Sequence, residues 1–186
     1  MDSVHYCWTQ PNMGDEAKLK ERQKLIQSRI EKLKRQKNKI KETPDEGVFN
    51  DKCFSDFKIK TGEEVFFVSK GILALKSPVF KAMFQSGMKE VQDGTLVLTE
   101  DSEVVRAMLL FMYHNKNVRD VKLAMRVLQL AHRYEIELLR AQCELFLMEN
   151  IQVDDAEECQ LLARSLDLRF LALKCSEVFF FNFLTN

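Results

Sequence analysis

The feature that most constrains the fold is a change in hydrophobic period near residue 70. Residues 56–69 contain an alternating segment, a Gly-Glu-Glu turn and a β-branched and aromatic run, which together predict a hairpin. After Lys70 the apolar residues recur at helical spacing, with one strand-like run at 95–99. Because strands come early and helices dominate later, we expect an α+β domain, a small β-sheet flanked by a helical cluster.

Capping residues predict where several helices begin and end. Pro78 suits the first position of a helix, where its missing N–H costs nothing, and Gly87 suits the position after its end. Two helices, over about 154–167 and 169–184, are predicted to form a C-terminal pair. The predicted N-cap residues are Ser77, Ser102, Asp120 and Asp154, the last in a capping box with Glu157.

Composition and helix-breaking residues divide the 186-residue chain into segments. Its hydrophobic fraction of 46% is sufficient for a core of ordinary size, and Pro44 with Gly47 marks a boundary. The predicted segments are a disordered tail (1–14), a long basic helix or coiled-coil arm (15–42), a linker (43–52), the main domain (53–150) and the C-terminal helix pair (151–186).

The basic arm has three interpretations. Residues 15–42 hold 11 Lys or Arg against 5 Asp or Glu, a net charge of +6 in a chain that has 28 of each overall. A coiled coil needs two apolar positions in each seven-residue repeat. Here one of these positions is apolar in every repeat and forms a seam, whereas the other, four residues later, is mostly polar. The arm is therefore a short coiled coil that pairs chains or docks a partner, a solvated helix or, least favoured because it lacks interleaved aromatic residues, a nucleic-acid-binding segment. The seam residues, and hence the predicted oligomer contacts of the arm, are Leu19, Ile26, Leu33 and Ile40.

Several functional classes lack support in the sequence. It contains no phosphate-binding glycine loop, no Gly-x-Ser-x-Gly and no paired-carboxylate site, so we expect no enzyme activity and no cofactor. The five cysteines include no Cys-x-x-Cys, which argues against zinc and against a disulfide framework. No apolar run reaches the length of a membrane span, and no secretory signal opens the chain. We therefore expect a cytoplasmic and/or nuclear protein with no membrane partner.

One long ordered set of motifs resembles a known family. The stretch FSDFKIKTGEEVFFVSKGILALKSPVFKAMFQSGMKE is similar to the BTB (POZ) domain, as are LLFMYHNK and the later His132-Arg133-Tyr134 and Cys143 segment. The last 36 residues resemble the helix pair that follows this domain in speckle-type POZ proteins. The resemblance implies the BTB fold, with the basic arm standing where those proteins have a MATH domain.

The same resemblance implies a partner. Many such domains bind cullin-3 through a hydrophobic-x-Glu motif in the loop after the Ser-Pro helix, and Met88-Lys89-Glu90 matches it. A methionine there would offer a flexible apolar knob, and the carboxylate would orient the contact. Tyr113 is a lesser candidate for the same contact; its alternative is a half-buried tyrosine with a solvated hydroxyl. The implied function is a substrate adaptor of a cullin-3 ubiquitin ligase with an unidentified protein substrate. The alternative is an oligomerisation scaffold that does not bind the cullin.

Departures from the family pattern affect two further sites. Ser69 stands where relatives have a histidine that, with the residue matching Asp56, forms a charged pocket, so that pocket is in doubt. The helix that builds the dimer contact in relatives is interrupted here by Pro44 and Gly47. A homodimer is still expected. Its predicted contacts in the domain are Val48, Phe49, Ile72 and Leu73.

Overall fold

The computed structural model of the protein describes residues 13–38, 47–87 and 89–185, and the side chains of residues 17–180 within those ranges. The helices are α1 (Met13–Lys37), α2 (Lys70–Lys76), α3 (Pro78–Gln85), α4 (Lys89–Gln92), α5 (Ser102–His114), α6 (Val121–Arg133), α7 (Glu137–Asn150), α8 (Val153–Ser165) and α9 (Arg169–Thr185). The strands are β1 (Phe57–Thr61), β2 (Glu64–Val68) and β3 (Thr95–Leu98), and one 3₁₀ turn covers Lys52–Phe54. The described chain is helix-rich with a small sheet, as predicted.

The sheet has the order β2-β1-β3, so the first strand is central. β1 and β2 form the predicted antiparallel hairpin, whose turn contains Gly62 at φ +54°, a conformation that glycine adopts without steric cost. Phe57 and Ile59 are buried while Lys58 and Lys60 are exposed, which matches the period-2 pattern. β3 pairs with β1 in parallel, a pairing that the sequence analysis did not predict.

The Ser-Pro helix begins as predicted. Ser77 is fully buried; its Oγ accepts from the Phe80 N–H at 3.1 Å and donates to the Tyr134 carbonyl at 2.5 Å. The fully buried Phe80 ring stacks on the Tyr134 ring with centroids 4.5 Å apart. Pro78 occupies the first position, and Gly87 follows the helix at φ +67°. One serine thus caps α3 and joins it to the chain after α6.

The other predicted N-caps divide into one that is confirmed and two that are wrong. Asp120 caps α6 and accepts from the N–H three residues along at 2.7 Å. The N-cap of α5 is Asp101 rather than Ser102, which is already the first helical residue. α8 begins after Gln152 without a side-chain cap, so Asp154 lies within the first turn and not in a capping box. There its negative carboxylate interacts favourably with the positive N-terminal end of the helix dipole.

The C-terminal helix pair is confirmed. α8 and α9 pack against each other across a short turn in which Asp167 has φ +53°. Cys159 and Cys175 are fully buried, one on each helix, and Gln160 Nε2 donates to Ser176 Oγ at 2.6 Å across the pair. α8 also packs on α6 and α9 on α7, so the pair continues the core of the preceding domain.

The basic arm packs on the body of its own chain, an arrangement that the sequence analysis did not predict. α1 packs against α7 and α9 of its own chain, and Ile26, Ile30 and Leu33 are 4%, 9% and 1% exposed. Those side chains belong to the main core and do not form a seam on a free helix. The heptad pattern correctly indicated a buried face, but the surface that buries it lies within the chain.

Candidate protein-interaction surfaces

The segment after α3 holds the predicted cullin-binding motif. Met88 lies outside the described residues. Lys89–Gln92 forms a single helical turn, α4, where the sequence analysis predicted a loop. On that turn Lys89 is exposed and Glu90 is half-buried. Gln92 Nε2 donates to the Gly87 carbonyl at 3.0 Å, which links the chain on the two sides of the motif.

Tyr113 has a role inside the chain. It is half-buried near the end of α5, and its hydroxyl accepts from the Ser69 N–H at 2.7 Å. Burial raises the pKa of the Tyr113 phenol, although the bond from Ser69 acts in the opposite direction. Because Ser69 is the N-cap residue of α2, Tyr113 fixes the start of that helix. Its hydroxyl therefore has a bonding partner within the protein.

Phe49, a predicted dimer contact, lies against Tyr113. Their ring centroids are 5.2 Å apart, and Phe49 also lies 6.5 Å from Phe66 and 6.3 Å from His114. Phe49 is half-buried, whereas the neighbouring Val48 is 38% exposed. The contacts of the described residues thus group Tyr113 with Phe49, while Glu90 lies on α4, which packs against β3.

Helix α2 presents an apolar surface that the sequence analysis located only in part. Leu73, a predicted dimer contact, is fully buried, so it serves the core and is not available to a second chain. Ile72 is half-buried. Leu75, which was not predicted, is 82% exposed on the same helix, and Phe54 is 64% exposed in the 3₁₀ turn. Single exposed apolar residues are common on protein surfaces, whereas a contiguous patch of them is typical of an interaction surface.

Asp56 has a structural use in place of the charged pocket. Its carboxylate accepts from the Lys70 N–H at 2.7 Å, at the first residue of α2, while the Ser69 side chain makes no capping bond. Asp56 therefore satisfies one of the free amides at the start of α2. Asp is a preferred capping residue, but Asp56 lies 14 residues before Lys70, so its capping role could not be recognised from the neighbouring sequence.

The arm residues predicted as oligomer contacts are placed as follows. Ile26 and Leu33 are buried against the body of the same chain, which makes them unavailable to a second chain in this arrangement. Leu19 is half-buried nearer the start of α1. Ile40 lies outside the described residues.

The described residues hold no cluster of three metal-ligating side chains. Among them, burial raises the pKa of the Cys143 thiol to about 12, which keeps it protonated and a poor nucleophile. No helix in the described part of the chain has both the length and the apolarity to span a membrane.

A comparison with protein families adds the decisive observation. The family model described as BTB/POZ domain matches residues 46–151, more than half of the 186 residues. The chain belongs to the BTB/POZ domain family. The match begins within the segment predicted as a linker and includes Val48 and Phe49. BTB domains are protein-interaction domains that commonly self-associate and bind partners, so a protein-interaction role follows from the family.

Two solved BTB structures are similar to this chain. One is the BTB domain of zebrafish PATZ1, with 24% identity and a TM-score of 0.46 over 52% of this chain and 78% of that one. The other is the BTB domain of human Gigaxonin, with 21% identity and a TM-score of 0.43 over 49% of this chain and 75% of that one.

Proposed function

We propose that this BTB protein is an adaptor subunit of a cullin-3 RING ubiquitin ligase, which brings a protein substrate to the ligase. The observation that supports the proposal is the α8–α9 pair, which packs on α6 and α7 directly after the residues matched by the family model. Speckle-type POZ proteins, which the sequence resembles, use such a pair to extend their contact with cullin-3. The adaptor would raise the effective concentration of the substrate at the ligase and would perform no chemistry itself. It would act in the cytoplasm and/or the nucleus.

The proposed cullin contact is Met88 with Glu90. Methionine suits the role because its unbranched thioether side chain adapts to an apolar groove. Glu90 is half-buried on α4, where a carboxylate would set the orientation of the partner more than the affinity. Tyr113 would contribute through its ring and through its O–H, which remains able to donate while the oxygen accepts from the Ser69 N–H.

Calorimetry with the purified N-terminal domain of cullin-3 tests this proposal. We expect binding at micromolar affinity or tighter, abolished by Met88→Asp and weakened by Glu90→Ala. Gln129→Asp is the matched control, because it introduces the same charge at an exposed position of α6. Absence of binding by the wild-type chain, or equal loss in the control, would contradict the proposal.

The second candidate is a scaffold that oligomerises through α2. The observation that favours it is the 82% exposure of Leu75, on the same helix as the half-buried Ile72. Light scattering during size-exclusion chromatography would report an oligomer that Leu75→Asp dissociates. A chain that oligomerises through α2 and does not bind cullin-3 would support the scaffold, and a monomer at all concentrations would exclude it.

A further inference from the structure

Helix α1 packs against α7 and α9, and Arg29 contacts both of these helices. The Arg29 guanidinium donates to both carboxylate oxygens of Glu144 on α7, from Nε at 2.9 Å and from Nη2 at 2.5 Å. The same guanidinium lies over the Phe170 ring on α9, 6.0 Å from its centroid. The Glu144 side chain is 1% exposed. Arg29 therefore bridges α7 and α9 while it neutralises a buried carboxylate.

The rest of the contact has the form of a helix in a groove. Ile26, Ile30 and Leu33 follow the spacing i, i+4, i+7, so they form a single apolar stripe, and all three are buried. Lys34 adds an ion pair to Glu149 on α7 at 2.8 Å. The surface formed by α7 and α9, which we term the α7–α9 groove, thus accepts an apolar stripe flanked by basic side chains.

The occupant is held on one face only. Between Lys24 and Arg35 the side chains on the remaining faces of α1 are mostly exposed. Elements with few buried contacts open at lower free energy than core helices, so α1 has the properties of a unit that can open separately. Because α1 belongs to the same chain as the groove, its effective concentration there exceeds that of a separate helix.

We propose that the α7–α9 groove is a docking site for basic amphipathic helices, and that α1 is its tethered and displaceable occupant. The ligand is a partner helix with apolar residues at the spacing of Ile26, Ile30 and Leu33 and an arginine at the position of Arg29. Arginine is specified because its planar fork donates in parallel from two nitrogens to the two Glu144 oxygens, an arrangement that the single nitrogen of lysine cannot reproduce. The groove shares α9 with the helix pair of the proposed function but does not include the proposed cullin contact at Met88.

The test uses a fluorescent peptide of residues 15–38 as the helix supplied in trans, with the full-length chain as receptor. In Ile30→Asp the internal helix is weakened and the groove is unchanged, so we expect the peptide to bind at least about tenfold more tightly than to wild type, where it competes with α1. Binding should be lost on addition of Glu144→Gln to that variant, and with a peptide carrying Arg29→Glu. Gln27→Asp, an exposed change on α1, is the matched control and should leave the wild-type affinity unaltered.

Absence of peptide binding to a folded Ile30→Asp chain would overturn the proposal. If that variant does not fold, hydrogen exchange on the wild-type chain decides. The amides of residues 26–33 should exchange at least roughly tenfold faster than those of α6. Equal protection of α1 and α6 would show that α1 is a permanent part of the core. A wild-type dimer that the peptide dissociates would overturn the assignment of α1 to its own chain.

Discussion

Replacing Arg29 by alanine is the most informative single change in the basic arm. The substitution leaves the Glu144 carboxylate, whose side chain is 1% exposed, without either of its hydrogen bonds from Arg29. A buried charge that loses its partner costs about 3–5 kcal/mol, whereas a surface pair contributes about 0–1 kcal/mol. Since the Arg29 side chain is itself 22% exposed, we expect a cost between these limits, about 2–3 kcal/mol.

The structure also predicts where that cost appears. Detachment of α1 would return water to Glu144, so the penalty of the unpaired carboxylate has a local route of relief. Arg29→Ala should therefore loosen α1 first and leave the sheet and α6 folded. Urea denaturation measures the change in the free energy of unfolding, and hydrogen exchange measures the protection of the α1 amides separately.

Two controls separate the ion pair from general effects on the helix. Arg35→Ala removes an 81% exposed arginine that pairs with Glu31 at 3.9 Å, and should change the free energy of unfolding by less than about 0.5 kcal/mol. The double variant Arg29→Met with Glu144→Leu should regain most of the loss, because it removes both charges. If Arg29→Ala costs as little as Arg35→Ala and leaves the protection of α1 unchanged, the reasoning is refuted.

Three further predictions concern the domain itself. In a urea titration, Ser77→Ala should lower the free energy of unfolding by about 2–3 kcal/mol, because it removes a helix cap and a buried bond to a carbonyl. The control, Ser86→Ala at an exposed position, should lower it by less than about 0.5 kcal/mol. Native alkylation followed by mass spectrometry should label the exposed Cys53 well before Cys143, whose thiol pKa is raised to about 12 by burial; equal rates would contradict this. Burial raises the pKa of Tyr113 in the folded state, so the unfolded state loses this proton at a lower pH. The free energy of unfolding should therefore fall as the pH rises above the ordinary tyrosine pKa of 10.0. In urea titrations at several pH values Tyr113→Phe should show a smaller fall; an identical profile would show that Tyr113 does not contribute.

The sequence predicts the parts of the fold that short-range patterns determine. The alternation in β1 is visible because one face of the hairpin is buried, and the Ser77-Pro78 cap acts within one helical turn. The parallel pairing of β1 with β3 was missed because it joins residues such as Lys58 and Thr95 across three helices, and no local pattern records it. The wrong N-cap at Ser102 has a local cause, since Asp101 beside it is an equally good capping residue.

Partner surfaces were predicted less well because a pattern reports that a face is buried, not what buries it. The stripe of Ile26 and Leu33 is equally compatible with a second chain and with the α7–α9 groove, and only the folded arrangement distinguishes them. Helix α2 has seven residues, too few turns for periodicity to separate Leu73, which is fully buried, from Leu75, which is 82% exposed.

The contacts of Tyr113 determine which substitutions can separate an adaptor from a scaffold. Its ring lies 5.2 Å from Phe49, a predicted dimer contact, and its hydroxyl bonds the Ser69 N–H at the start of α2. A change at Tyr113, itself a proposed cullin contact, would therefore also perturb the predicted oligomer contacts, and residues in contact give non-additive effects. Met88 and Leu75 lie on separate segments, since one precedes α4 and the other is on α2. Loss of cullin binding in Met88→Asp with the oligomer intact, and the reverse in Leu75→Asp, would show that the two functions use different surfaces.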